Sequence, residues 1–348
     1  MNLLRGFDLL IFSLYFLIEK PSEDFQQLTL VSSHDKSCPL SFPVIDTEHA
    51  SWQILSEEGN LVVNSLRLIP RPNATPIELE RNFVRRCLRG RNIAFVGDSV
   101  SRYQYLNLVH FLAHGDWQSS YPMFENEKEW GSWLHFYAGT SARLVTHATR
   151  ETCDCFREGF EIMIENRAFM DSENNFTISF SQFFDGYPSR GIDPELLTLN
   201  DCTVGVGCKQ GGCMPGDCSR PTWIIQGGHV ELLERIARTL NPDTIIFNSG
   251  IWPLSGFSSP GRIEDLRCLA VSLRSHGVRD LIWKTTTRIN SNFADPGGNE
   301  RNTLLPALAA LGTSNQSSWR VFDAYALTAS LARMGQPLSL FFLGPVPF

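Results

Sequence analysis

The sequence predicts an α/β fold with a mostly parallel sheet, on three observations. Short apolar runs, Ile93 to Val96, Thr244 to Phe247 and Leu281 to Trp283, have the length and continuity of strands buried on both faces. Amphipathic stretches lie between them: Tyr105, Leu106, Leu108, Val109 and Leu112 recur at helical spacing, as do Leu266, Leu269, Ala270 and Leu273. Strands separated by helices and joined by right-handed crossovers stack into a parallel sheet covered on both faces.

Residues 92–112 carry the densest signal. The run Ile93-Ala94-Phe95-Val96 ends at Gly97, and the helical spacing resumes after Gly97-Asp98-Ser99, so the segment reads as strand, tight turn, helix. A serine in such a turn lies where the backbone N–H groups of a helix start point outward and meet an oxyanion formed beside it. Gly97 is read as the residue that permits dihedrals a Cβ would forbid. Asp98 and Ser101 are equally suited to capping the helix, and Ser99 to nucleophilic attack.

At 348 residues and 43% hydrophobic content the chain can bury one large core, with a small appendage at most. A formal net charge of −7 with no basic block argues against nucleic acid as a partner, because phosphate binding needs clustered Lys and Arg. Of nine cysteines, Cys153, Cys155, Cys202, Cys208, Cys213 and Cys218 fall in one segment, which predicts an oxidising compartment and a disulfide-rich insert over 202–218. Cys-x-Cys at 153–155 lacks thioredoxin spacing and is read as structural. The 202–218 cysteines have neither paired Cys-x-x-Cys knuckles nor an interleaved histidine, so disulfides are preferred over zinc.

The first 20 residues contain Arg5 and the apolar run Leu9 to Ile18, with the length of a signal-peptide core. Glu19-Lys20-Pro21 offers no small-residue cleavage site, so a cleaved signal and an uncleaved membrane anchor both stay open. Residues 21–80, punctuated by prolines, are read as a luminal stem and lead-in. Asn73, Asn175 and Asn315 each open an Asn-x-Ser/Thr glycosylation sequence. The aromatic stretch from Trp117 to Trp133 suits either core or a sugar-stacking surface.

Phe160 to Arg167 and Phe176 to Phe184 read as strands, followed by Gly186 in a loop. Thr244 to Phe247 ends at Asn248. Ile263 to Ser275 and Asn302 to Leu311 are predicted helices, Leu281 to Thr287 and Trp319 to Phe322 predicted strands. Ligands of parallel α/β sheets sit outside the strands' carboxyl ends, where Ser99 and Asn248 both fall.

The string Gly97-Asp98-Ser99-Val100-Ser101-Arg102-Tyr103-Gln104 resembles the first block of the trichome birefringence-like, or PC-esterase, branch of the SGNH/GDSL hydrolases. The resemblance extends over roughly residues 80–325. It includes Arg86 to Arg91, Cys153 to Arg157, Pro242 to Trp252, and Trp283-Lys284-Thr285-Thr286. It implies an SGNH-hydrolase-like three-layer α/β/α sandwich over 81–348 and acyl, usually acetyl, transfer to or from polysaccharide hydroxyls. Family members are mainly esterases or O-acetyltransferases, many of them Golgi type II membrane proteins, so a Golgi setting is expected, with secretion as the alternative. Carried over by motif, Ser99 would be the nucleophile, and Ser99 N–H, Asn248 and Gly186 the oxyanion donors. Gly97, Asp98, Arg102 and Gln104 would support the block. A polysaccharide or oligosaccharide is the expected partner, whereas the acyl donor has no signature in the sequence. No metal-ligand constellation and no phosphate-cradling glycine loop occurs, so no tightly bound cofactor is expected.

The chain departs from the family at two places. Of the family's cysteine- and tryptophan-bearing N-terminal segment only Cys38 and Trp52 remain. The family's C-terminal Asp-x-x-His block is missing: Asp323 is followed three residues on by Ala326, and the last histidine is His276. Asp323 is read as a strand-end residue, which leaves His110, His114, His135, His147, His229 and His276 as substitute bases. The expectation is a catalytically impaired chain, either a truncated enzyme or a glycan-binding pseudoenzyme on the same fold.

Overall fold

The computed structural model describes residues 51–56, 63–69, 81–115, 133–158, 162–183, 189–190, 224–225, 229–248, 260–286 and 319–325. A seven-stranded mixed sheet organises them. It contains β3 (Asn92–Gly97), β4 (Thr149–Glu158), β5 (Ile162–Asp171), β6 (Phe176–Gln182), β9 (Thr244–Phe247), β10 (Asp280–Lys284) and β11 (Arg320–Phe322), in the order β11-β10-β9-β3-β6-β5-β4. Two further antiparallel pairs form separate two-stranded ladders: β1 (Ser51–Ser56) with β2 (Val63–Ile69), and β7 (Ser189–Arg190) with β8 (Ile224–Ile225).

The apolar runs read from sequence are the parallel core. Phe95 pairs in register with Phe180 on one side and Ile246 on the other, and β9, β10 and β11 continue in parallel. Strands β4, β5 and β6 form an antiparallel meander, which makes the mostly parallel sheet a mixed one. Between β5 and β6 the chain reverses within four residues at Ser172–Asn175: Asp171 accepts from the Asn174 backbone N–H at 3.0 Å, and Asn175 adopts φ 52°. Strand β4, with its charged and cysteine residues, lacks the alternation that would mark it.

The helices are α1 (Arg81–Cys87), α2 (Ser99–His114), α3 (Trp133–Arg143), α4 (His229–Leu240) and α5 (Pro260–Ser275). One sheet face carries Ala94, Val96, Ile245, Phe247, Leu281 and Trp283, packed with Leu232, Leu233, Ile236 and Ala237 of α4 and Leu266, Leu269, Ala270 and Leu273 of α5. The α5 face is the one the sequence spacing predicted. On the opposite face Tyr105 of α2 lies 6.4 Å from Phe95 and 5.8 Å from Phe180, ring to ring. α2 is buried on nearly all sides, because α3 and α1 cover its outer surface: Trp133 and Phe136 meet Arg102, and Arg81 donates to the Leu112 carbonyl at 2.9 Å.

Polar residues lock the amino ends of the central strands. Arg91 donates to Asp243 and to Thr244 Oγ1, each at 2.8 Å, and reaches Asp280 at 3.3 Å, while the Asn92 backbone N–H donates to Asp243 at 2.8 Å. Cys153 and Cys155 form a disulfide within β4, and Cys87 is also disulfide-bonded. The segments 1–20, 117–132, 202–218 and 302–311 lie outside the described residues, as do Gly186, Asn73 and Asn315. Among the described residues no helix is long and apolar enough to cross a membrane.

Trp283 is fully buried, edge-on to Phe247 at 4.9 Å and to Trp319 at 5.9 Å, and so joins three adjacent strands' ends. Trp283→Ala is expected to destabilise the protein by about 3–5 kcal/mol, read as a lower urea midpoint with an unchanged slope. A loss under about 1 kcal/mol would mean that this stack is not a keystone of the core.

Candidate active site

The site is built where β3 ends. β6 pairs with one edge of β3 and β9 with the other, so the connection direction reverses at this strand, and the carboxyl end of such a strand is where ligands of parallel α/β sheets sit. Gly97 and Asn248 each follow the last paired residues there, Val96 and Phe247, and the Asn248 N–H donates to the Val96 carbonyl at 2.9 Å.

Gly97 is needed for space, not for unusual dihedrals. Its φ is not positive, whereas a Cβ would run into the Ser101 hydroxyl, the Ser101 Cβ at 2.9 Å and the Asn248 carbonyl at 3.0 Å. This corrects the reason drawn from sequence while keeping the residue.

Asp98 is the helix cap. In extended conformation, with φ −83° and ψ −165°, it accepts from the Val100 N–H at 3.0 Å and the Ser101 N–H at 3.3 Å, and its carbonyl takes the Arg102 N–H at 3.0 Å. Of the first four helical N–H groups, Ser99's is therefore the one with no acceptor among the described residues. The Ser99 side chain is half-exposed and its hydroxyl likewise has no partner among those residues. One residue thus offers both a hydroxyl and a backbone N–H that have no partner among the described residues.

Asn248 is 1% exposed and already engaged. Its amide donates to the Lys284 carbonyl at 2.8 Å and, more weakly, to Thr286 Oγ1 at 3.4 Å, and its oxygen accepts from Ser101 Oγ at 3.4 Å. Asn248 therefore bridges α2, β9 and the end of β10. Beside it Thr285 donates to Asp323 at 3.1 Å and accepts from the Tyr325 N–H at 2.9 Å, so Asp323 sits at the end of β11, fastened to β10.

Sequence reading missed the charged chain beneath α2. Arg102 donates to Glu165 at 2.9 Å, Arg167 joins Glu165 at 2.6 Å to Glu151 at 2.9 Å, and Glu151 also takes the Tyr105 hydroxyl at 2.7 Å and the Ser141 hydroxyl. Arg167 reaches Thr140 at 3.1 Å. The guanidinium of Arg102 lies 4.7 Å from the Tyr103 ring and 5.4 Å from that of Trp133. Two cations and two carboxylates alternate, so the chain is neutral. Burial opposes the Arg102 and Arg167 charges, but the carboxylates outweigh it and hold both guanidiniums above their ordinary values. Burial likewise pushes Glu165 up, and the two arginines overcome this and keep its carboxyl below the usual range. Burial, then the neighbouring Glu151, pushes the Tyr105 hydroxyl well up. The only sequence trace of this chain was charged residues in strand-like runs. Gln104 is buried as well, with no hydrogen bond to its amide among the described residues.

Topology sorts the six histidines. His110 and His114 stand eleven and fifteen residues along α2, about 16 and 22 Å from Ser99 at the helical rise. His147 meets Glu173, at the β5–β6 turn, at 3.0 Å, and His276 lies in the turn before β10; both are at the opposite end of the sheet. α4 runs against the strands, since its last residue, Leu240, accepts from Asn92 at the start of β3. His229, at the start of α4, is therefore at the Ser99 end. His135 is exposed in the first turn of α3, beside Trp133 and Phe136, which hold Arg102. Among the described residues no cluster of three metal-ligating side chains occurs.

No protein-family model matches the chain, and no curated protein matches it. The geometry defines the class to which it can be assigned: an α/β protein whose mixed, mostly parallel sheet has a serine at a helix start just beyond the carboxyl end of its central strand.

Gly97→Ala is expected to cost about 1–3 kcal/mol by overpacking against Ser101 and Asn248, seen as a lower Tm; a Tm equal to wild type would show that the contact relaxes freely. Glu165→Gln leaves buried Arg102 without its carboxylate and Arg167 with Glu151 alone, and should cost about 3–5 kcal/mol. Glu165 and Asp171 both have folded-state pKa values depressed by arginine partners, Asp171 against an opposing effect of burial. Their stabilisation is therefore complete above about pH 5 and is lost as pH falls below about 4. A urea midpoint constant from about pH 7 to about pH 3 would contradict that assignment.

Proposed function

We propose that this protein transfers an acyl group, acetyl by resemblance to the PC-esterases, to or from a hydroxyl of a polysaccharide through an acyl-enzyme on Ser99. The observation that carries the reading is Ser99 itself: a half-exposed hydroxyl and an unoccupied backbone N–H at the start of α2, beyond the carboxyl end of the central strand. The Ser99 oxygen attacks the acyl carbonyl as its proton leaves to a base, and the resulting oxyanion takes the Ser99 N–H. Collapse expels the donor's alkoxide with a proton, and a sugar hydroxyl or water then accepts the acyl group by the reverse steps.

Asn248 joins as the second donor by turning its weaker N–H from Thr286, 3.4 Å away, toward the oxyanion, while the Lys284 bond keeps the side chain in place. Gly186 is the proposed third donor. His135 and His229 are the histidines to test as base, on the topology of α3 and α4. Residues 9–18 and the glycosylation sequences support work in the secretory pathway, with a Golgi setting following from the resemblance. A second reading, a glycan-binding protein without turnover, draws support from the prior engagement of Asn248 by Lys284, Thr286 and Ser101.

Incubation of the purified chain with acetylated and deacetylated wall polysaccharides should release or transfer acetate only slowly, because the Asp-x-x-His base is missing, and intact-mass analysis after quenching should find one acyl group on Ser99. Ser99→Ala is expected to abolish both while leaving Tm unchanged, because the side chain is not core; wild-type turnover in this variant would refute the nucleophile assignment. Asn248→Ala is expected to lower kcat by about 10²–10³ with little change in KM. A raised KM at constant kcat would move Asn248 to substrate binding. Glycan binding with no acetate turnover under any donor would favour the second reading.

A further inference from the structure

Of the three Asn-x-Ser/Thr sequences, the one within the described residues is Asn175-Phe176-Thr177, and its geometry is that of an acceptor. Asn175 closes the four-residue turn between β5 and β6 and is exposed. Its φ of 52° is in the left-handed region, which asparagine enters at less cost than most residues. Its carbonyl accepts the Gly90 N–H at 3.0 Å, whereas its side-chain amide has no hydrogen-bond partner among the described residues. Phe176, 2% exposed, stacks on Phe169 at 6.2 Å and pins the middle of the sequence into the core. Thr177 is half-exposed, held at the start of β6 by its N–H on the Arg91 carbonyl at 3.0 Å. The buried ring anchors the tripeptide, and the asparagine amide is left in solvent.

We propose that Asn175 carries an N-linked oligosaccharide. The amide nitrogen attacks the anomeric carbon of a polyprenyl-diphosphate-linked oligosaccharide. The new C–N bond forms as the C–O bond to the diphosphate breaks, the nitrogen loses one proton, and the polyprenyl diphosphate departs. The proposal rests on the secretory reading given above.

The site lies at the back of the molecule. β6 runs parallel to β3, with Thr177 opposite Asn92 and Gln182 opposite Gly97. The turn at Asn175 is therefore separated from the Ser99 end by the length of β6, about 20 Å at the rise of a strand. A glycan there covers the turn formed by Gly90 and the β5–β6 hairpin, at the end of β6 opposite to Ser99.

The test translates the full chain behind an added cleavable signal sequence in the presence of endoplasmic-reticulum microsomes, and analyses the protease-protected product. Treatment with a peptide-N-glycosidase should convert Asn175 to Asp in the peptide map and increase electrophoretic mobility. Asn175→Asp, which tolerates the same backbone conformation, and Thr177→Ala should each remove one glycan's shift, and Thr177→Ser should retain it. A protected chain whose Asn175 peptide is unmodified overturns the proposal. The same experiment without the added signal tests entry by the chain's own amino terminus: an unprotected product would sink the secretory reading, while the Asn175 result from the signal-bearing chain stands or falls separately.

Discussion

The close approach at Gly97 is the contact on which the site depends. Three elements reach one point there: the end of β3, Ser101 in the first turn of α2, and the backbone of Asn248 after β9. Only a residue without Cβ lets all three meet, because any side chain would displace either the helix start or the neighbouring strand. That approach brings the α2 amino terminus down onto the sheet. The Asp98 cap then consumes two N–H groups and leaves that of Ser99 facing outward. A turn set by steric fit holds its N–H groups in one orientation, and under the acyl-transfer proposal that orientation is what would let the Ser99 N–H meet a developing oxyanion.

The charged chain under α2 is the second device. Burying two guanidiniums and two carboxylates carries a desolvation cost of several kcal/mol per ion, so the arrangement is not a simple source of stability. It is self-consistent only as a whole: Glu165 lies between two arginines, and Arg167 between two glutamates. The partners come from α2, β4 and β5, with Ser141 and Thr140 of α3 adding hydrogen bonds to Glu151 and Arg167. Apolar contacts alone would allow α2 to slide along the sheet. Paired charges in a medium of low dielectric penalise each such shift, and we regard the chain as fixing the helix's register and thereby the height of Ser99 above β3.

The two faces of the sheet are built differently. The α4 and α5 face is an aliphatic and aromatic core with Trp283 at its centre, whereas the α2 face is half polar. The polar face is the one from which Ser99 emerges. Arg91, Asp243 and Asp280 tie the amino ends of β3, β9 and β10, so the parallel strands are fastened at one end by ion pairs and joined at the other by Asn248.

What the sequence determined by itself was local. Continuous apolar runs in β3, β9 and β10, the helical spacing of α2 and α5, and the Gly-Asp-Ser turn are each encoded within a few neighbouring residues, where periodicity and turn chemistry act directly. Ser99 and Asn248 were legible as strand-end residues for the same reason. Only the tertiary structure decided what depends on residues far apart in the chain. Glu165 and Arg167 have meaning only once β5 is paired and α2 lies across it, for no short-range pattern marks a carboxylate whose partner is 63 residues away. The role of Gly97 changed from dihedral freedom to space because Asn248 approaches from another strand. The six histidines, indistinguishable in the sequence, were separated by strand direction, which is a property of the assembled sheet and of no single segment.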